Sequence, residues 1–291
     1  MRLPRYRGRL GSVIVPSHGD AARPHDTSRR RLAAAGLRRD PRDTLSEGGP
    51  LRPARVATVA IVLVLVGNVA PSRVGSGAPL PGGSGEFVGL GLSIIVASLL
   101  AARWLGLDAA ALGLSRSRAL RGAAIGAALG GTIAAIDVAI VQLAPAIIGG
   151  PLVYEPLYAV SATGLARHLA FFLPLGAVIP EEIAFRGTLL GALLRRYKDT
   201  VAIGWSAAAF ALWHAVVVVF TVGVTSLAPP SPLFLPAILG ALLVVFVGGA
   251  IMGALRVVTG SLATTVAAHY VFNAIILIGF FTLQPAAGVP R

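Results

Sequence analysis

Apolar residues along this chain fall into long runs separated by short polar breaks. The runs cover about Ala54–Ala70, Phe87–Leu105, Ala119–Ile148, Gly164–Leu194, Val201–Val224, Leu233–Leu255 and Ser261–Leu283. Each is close to the ~20 residues an α-helix needs to cross a bilayer. A helix also satisfies its own backbone polar groups at membrane depth. The pattern therefore predicts an all-α fold, a polytopic transmembrane helical bundle over residues 54–283. Pro174, Pro180 and the acid pair Glu181–Glu182 interrupt the fourth run. It reads as one broken span or as a span followed by a shorter helix, so the expected count is seven or eight.

Composition supports the membrane class. The chain is 55% hydrophobic and 13% charged, with a mean hydropathy of +0.79, far more apolar than an ordinary soluble domain. It has no cysteine, which excludes disulfides, thiolate metal sites and a cysteine nucleophile. The net charge of +13 is concentrated at one end, with thirteen of the 24 arginines and five acids in residues 1–55. Residues 1–50 lack a sustained apolar period and are expected to form a disordered, Arg-rich tail. Tyr6 is its one aromatic residue, so the aromatic interleaving of a nucleic-acid binder is missing and no nucleic-acid partner is expected. A basic tail beside a membrane is more simply a topology and lipid-headgroup signal.

Arginine placement predicts the orientation. Arg103, Arg116, Arg118 and Arg121 follow the second run, Arg195, Arg196 and Lys198 follow the fourth, and Arg256 follows the sixth. The loops between hold only Arg73. With seven crossings this puts the N-terminus and the basic loops in the cytoplasm. The expected location is the plasma membrane, bacterial by composition, with lipids as neighbours.

Ionisable residues at membrane depth are costly and by default mark a functional site. Here they collect in three runs, as Glu181, Glu182 and Arg186, then His214, then His269 with Asn273. Glu182 and Arg186 have the i, i+4 spacing of a helical ion pair. That makes Glu182 the structural partner and leaves Glu181 for the reactive role. A lone His214 suits a helix–helix hydrogen bond. Beside Glu181 it could share a water with the glutamate or carry a proton to a leaving amine. His269 and Asn273, also i, i+4, share a helix face. Two such donors suit an oxyanion hole, or equally an interhelical hydrogen bond. Glu181 and His214 each lie 14 residues from the nearest cytoplasmic helix end, about 20 Å along the axis, and His269 and Asn273 about 12–18 Å. The three runs thus carry their polar groups to overlapping depths. Asp137 stands alone in the third run and could line a cavity, His168 and Arg167 are expected at the outer interface, and Gly249 and Gly253 have the spacing of a packing contact. No His-Glu-x-x-His or Gly-x-Ser-x-Gly motif occurs, setting aside the chemistries they carry.

The motifs Glu-Glu-x-x-x-Arg (Glu181, Glu182, Arg186), Phe-x-x-x-His (Phe210, His214) and His-x-x-x-Asn (His269, Asn273), in this order, resemble the CPBP family. These are the CAAX-protease and bacteriocin-processing (Abi) intramembrane proteases, related to the Ras-converting CAAX endoprotease. Leu112-Gly113-Leu114 and Thr259-Gly260-Ser261-Leu262 also look like the family, and the likeness covers about residues 85–283. It implies an endopeptidase in which Glu181 activates water with His214 while His269 and Asn273 stabilise the oxyanion. Glu182 belongs to the same catalytic motif. The substrate would be a membrane-associated peptide or protein. Family names often say metalloprotease, yet the CAAX relative is described as a glutamate-type enzyme. Either no cofactor or a divalent metal such as zinc, held by Glu181, His214 and His269, fits the residues. A non-catalytic scaffold or immunity protein of the same fold is the alternative, with a proton-relaying transporter behind it.

Overall fold

The computed structural model describes residues 51–69 and 84–283, so the predicted tail over residues 1–50 lies outside the described residues. Eight helices carry the fold: α1 (Pro53–Val69), α2 (Gly85–Trp104), α3 (Arg116–Ile148), α4 (Ala162–Leu194), α5 (Asp199–Trp213), α6 (Ala215–Gly223), α7 (Phe234–Thr259) and α8 (Leu262–Leu283). Among the described residues the one strand-like pairing is an isolated antiparallel bridge between Tyr154 and Thr225.

Five of these helices, α2, α3, α4, α7 and α8, are long and apolar enough to cross a membrane. Counting the bent pair α5–α6 as one span makes six. The expected seven or eight counts α1 as well, which this measure leaves out. The helix left out, α1, is apolar but only 17 residues long, about 26 Å at 1.5 Å per residue, against a hydrocarbon core of about 30 Å.

The prolines do not break the fourth run. Helix α4 continues through them because His168–Val178 and Ile183–Leu189 are π-helical, with a single α-helical turn, Ile179–Glu182, between. Pro174 lies within the first of these wider i→i+5 segments and Pro180 in the first turn of the α-helical stretch after it, and such π segments recur at functional sites. The break appears instead in the next run, where α5 and α6 meet at His214 with a 46° bend.

The main apolar core surrounds the C-terminal half of α4, where Phe185, Leu189 and Leu190 are almost completely buried against α1, α2 and α5. Helices α3 and α8 form the most extensive pair. They run parallel, with Gly122 against Ser261 and Thr264, Gly130 against Ala268, and Val138 against Gly279. The contact rests on a glycine every fourth residue. A Cβ on Gly126 would strike the Thr264 carbonyl oxygen, and one on Gly130 the Ala268 carbonyl oxygen. Gly249 and Gly253 do pack, against Ala207 and Ile203 of α5, but with more room, since a Cβ would stop 3.2–3.3 Å away. Ala268 precedes His269, so the α3 stripe sets the position of a candidate site residue. Gly130→Leu is expected to cost about 1–3 kcal/mol of overpacking, lowering the thermal unfolding temperature in detergent. An unchanged temperature would rule out this close contact.

The two shorter family-like segments touch each other. The Leu262 amide donates to the Gly113 carbonyl (2.9 Å), and Arg256 Nη2 donates to the Ala111 carbonyl (2.7 Å). Both turns use a left-handed residue that suits glycine, Gly113 (φ 77°) and Gly260 (φ 61°). Arg256, read above as a loop charge, is 1% exposed and ties this loop to α7.

Candidate active site

The glutamate turn projects its two carboxylates differently, as neighbours about 100° apart on a helix must. Glu182 points into the core and is fully buried, and its Oε1 accepts from Arg186 Nη1 at 3.0 Å. The Arg186 guanidinium lies 3.9 Å from the centroid of the Phe210 ring, adding a cation–π contact in a desolvated place. Glu181 faces a cavity instead, with 12% of its side chain exposed.

His214 reaches that cavity because of the bend at its own position. Its Nδ1 lies 2.8 Å from the Phe210 carbonyl. A carbonyl only accepts, so Nδ1 carries the proton and Nε2 faces the cavity. The bend has an identifiable cause. In a straight helix the Val216 amide would donate to the Leu212 carbonyl. Here Asn68 of α1 stands between them, its Oδ1 accepting from Val216 N at 3.0 Å and its Nδ2 donating to Leu212 O at 2.8 Å. A side chain inserted into the i→i−4 ladder is a recognised origin of helix kinks. Gly67 makes the approach close enough, because a Cβ there would collide with the Trp213 ring. Asn68 escaped the sequence reading, although the signal was present as a single amide inside an apolar run.

His269 connects the two glutamates. Its Nδ1 donates to Glu182 Oε1 at 2.9 Å, and its Nε2 lies 4.0 Å from Glu181 Oε2. The His214 Nε2 lies 3.7 Å from the same oxygen. Both separations exceed a direct hydrogen bond. Asn273, one turn beyond His269, lines the same cavity. The structure thus brings together Glu181, Glu182, Arg186, His214 and His269, with Asn273 on the same wall. The His269–Glu182 bond was not foreseen; it commits one ring nitrogen that an oxyanion role would leave open. His168, expected at the interface, is buried (5% exposed) and packs beside Phe172, whereas Arg167 is exposed.

The cavity measures about 1010 Å³ and is mainly apolar, large enough for several residues of peptide or a lipid chain. Among the described residues no group of three or more His, Cys, Asp or Glu side chains is placed to hold a metal ion, the set Glu181, His214 and His269 included.

The wall of a mainly apolar cavity thus gathers carboxylates and imidazoles, the residue types of acid–base chemistry. Residues 164–275 match the family model of the Rce1-like, type II CAAX prenyl endopeptidases. This stretch, less than half of the chain, is similar to that family, and the family is one of peptidases. The matched stretch contains Glu181, Glu182, Arg186, His214, His269 and Asn273, but neither Asn68 nor Asp137. No curated protein and no solved structure gives a significant match to the chain.

Proposed function

We propose that this protein is an intramembrane endopeptidase that hydrolyses a peptide bond of a membrane-associated peptide or protein, in a processing reaction of the CAAX or bacteriocin type. The observation that carries this reading is the approach of the His214 and His269 Nε2 atoms to one oxygen of Glu181 (3.7 and 4.0 Å). Separations of that size suit groups that share one water.

In the proposed reaction Glu181 takes a proton from that water as its oxygen attacks the scissile carbonyl carbon. The charge developing on the carbonyl oxygen is met by the Asn273 amide and, when His269 is protonated, by its Nε2–H. Glu182, paired with Arg186, holds His269 Nδ1 and so fixes the ring. As the C–N bond breaks, the proton gained by Glu181 passes to the leaving nitrogen, directly or through His214 Nε2. No step requires a metal.

In the membrane, the basic loops and the N-terminal side are assigned to the cytoplasm by the positive-inside rule, with α1 as a slightly short first crossing. Residues 54–283 then form one transmembrane domain.

The test compares membrane and secreted peptides, by mass spectrometry, from cells making wild-type protein or Glu181→Ala at equal levels. New peptide termini specific to wild type are expected. Identical profiles in a host that supplies the substrate would favour the non-catalytic scaffold instead. Repeating the purified reaction with a chelator separates glutamate-activated water from metal-bound water, and full retention of activity is expected.

Asn68→Leu tests the origin of the bend. Removing the inserted amide lets Val216 bond Leu212, straightens α5–α6 and draws His214 away from Glu181. Misplacing a reacting group by about 1 Å can cost a hundredfold, so kcat is expected to fall by about that factor with little change in unfolding temperature. Near-normal kcat would mean that Asn68 does not position His214.

A further inference from the structure

The cavity contains a second carboxylate that the proposed mechanism does not use. Asp137 of α3 lines it together with Glu181, His269 and Asn273. It lies within a candidate membrane span and has no hydrogen-bond or ion-pair partner among the described residues. The cavity-lining cation, Arg186, is already committed to Glu182 and the Phe210 ring. The phenol of Tyr154, another lining residue, is pushed by burial up to about 12, so it stays neutral and supplies no charge of its own. The protein thus presents an uncompensated acid where an isolated charge is costly.

The parallel α3–α8 register gives its position. Gly130 faces Ala268, the neighbour of His269, and Val138 faces Gly279. Asp137 lies seven residues beyond Gly130, about 10 Å along the axis from the level of His269. An extended peptide covers that distance in about three residues.

Resting on the endopeptidase reading, we infer that Asp137 is a specificity subsite for a cationic group of the substrate, carried about three residues from the scissile bond. A lysine or arginine side chain and a free peptide N-terminus share that chemistry. In either case the bound cation supplies the partner that the protein itself withholds, and a neutral residue at this position leaves Asp137 unsatisfied.

The experiment uses the full chain in detergent and peptides that differ by one Lys-to-norleucine replacement, scanned over four positions on each side of the bond, each with free or acetylated N-terminus. At one position Lys is expected to raise kcat/KM by about tenfold or more. Asp137→Asn should abolish that gain while leaving the norleucine peptides within about twofold of wild type. A gain that follows acetylation rather than the Lys scan identifies the N-terminal amine as the source. No preference for a cationic peptide, or an equal loss for all peptides in Asp137→Asn, overturns the subsite; the equal loss would point to proton relay or structural support.

Binding of the same peptides by fluorescence anisotropy, to wild type and to Asp137→Asn, keeps the two readings separate. If wild type cleaves nothing, the endopeptidase reading fails. A cationic preference in binding that Asp137→Asn removes would still establish the subsite, and its absence would reject it.

Discussion

Glu181→Gln is expected to lower peptide hydrolysis by about 10²–10⁴-fold, the range supplied by a positioned general base. The substitution keeps the size and shape of the side chain and removes its ability to take a proton. Glu181 stands at the cavity wall and does not form part of the core ion pair, so the unfolding temperature should stay close to wild type. KM should change far less than kcat, because the lost interaction belongs to the transition state. Rates of purified protein on a cleaved peptide, alongside thermal unfolding, test this. Activity within tenfold of wild type would remove Glu181 from the mechanism.

Glu182→Ala should act on the fold. The substitution strands Arg186, which is 1% exposed and accepts no solvent compensation, and deprives His269 Nδ1 of its acceptor. Breaking a buried pair from one side costs about 3–5 kcal/mol, a large part of the 5–15 kcal/mol that typically holds a domain together. Loss of monodisperse protein or a steep fall in unfolding temperature is expected. The double variant Glu182→Leu, Arg186→Met separates stability from chemistry. Replacing both partners with apolar groups of similar volume removes the stranded charge and should restore much of the stability. His269 would still lack the group that orients it, so the refolded double variant should remain impaired in kcat. A stable, fully active Glu182→Ala protein would contradict both halves of this argument.

Much of the site was legible in the sequence because membrane depth filters polarity so strongly. A glutamate or histidine within an apolar run has few reasons to be there. The helical rise then converts residue counts into depth, which gives the runs carrying Glu181, His214 and His269 overlapping depths for their polar groups. The i, i+4 spacing likewise singled out Glu182 as the partner of Arg186, and the structure has that pair at 3.0 Å.

Other features depend on contacts that no local pattern encodes. The expected break at Pro174 and Pro180 is absent: Pro174 lies inside a π-helical segment and Pro180 in the α-helical turn that follows it, within one continuous α4. The actual bend, at His214, depends on Asn68, which lies 148 residues away from Val216. The bond between His269 and Glu182 spans 87 residues and leaves Nε2 as the ring nitrogen toward Glu181. The tightest helix contact uses Gly122, Gly126 and Gly130 rather than the Gly249–Gly253 pair, because only the fold reveals which glycines meet a neighbouring backbone.

By itself, then, the order of apolar runs and polar interruptions determined a helical membrane protein and the residue types of its candidate centre. Hydrophobic period and the cost of intramembrane charge are properties of short segments. Tertiary structure decided which carboxylate is buried and which faces the cavity, where the helix bends, and which histidine nitrogen is available. Those depend on side chains inserted between helices distant in sequence, and their positions are set by packing in three dimensions.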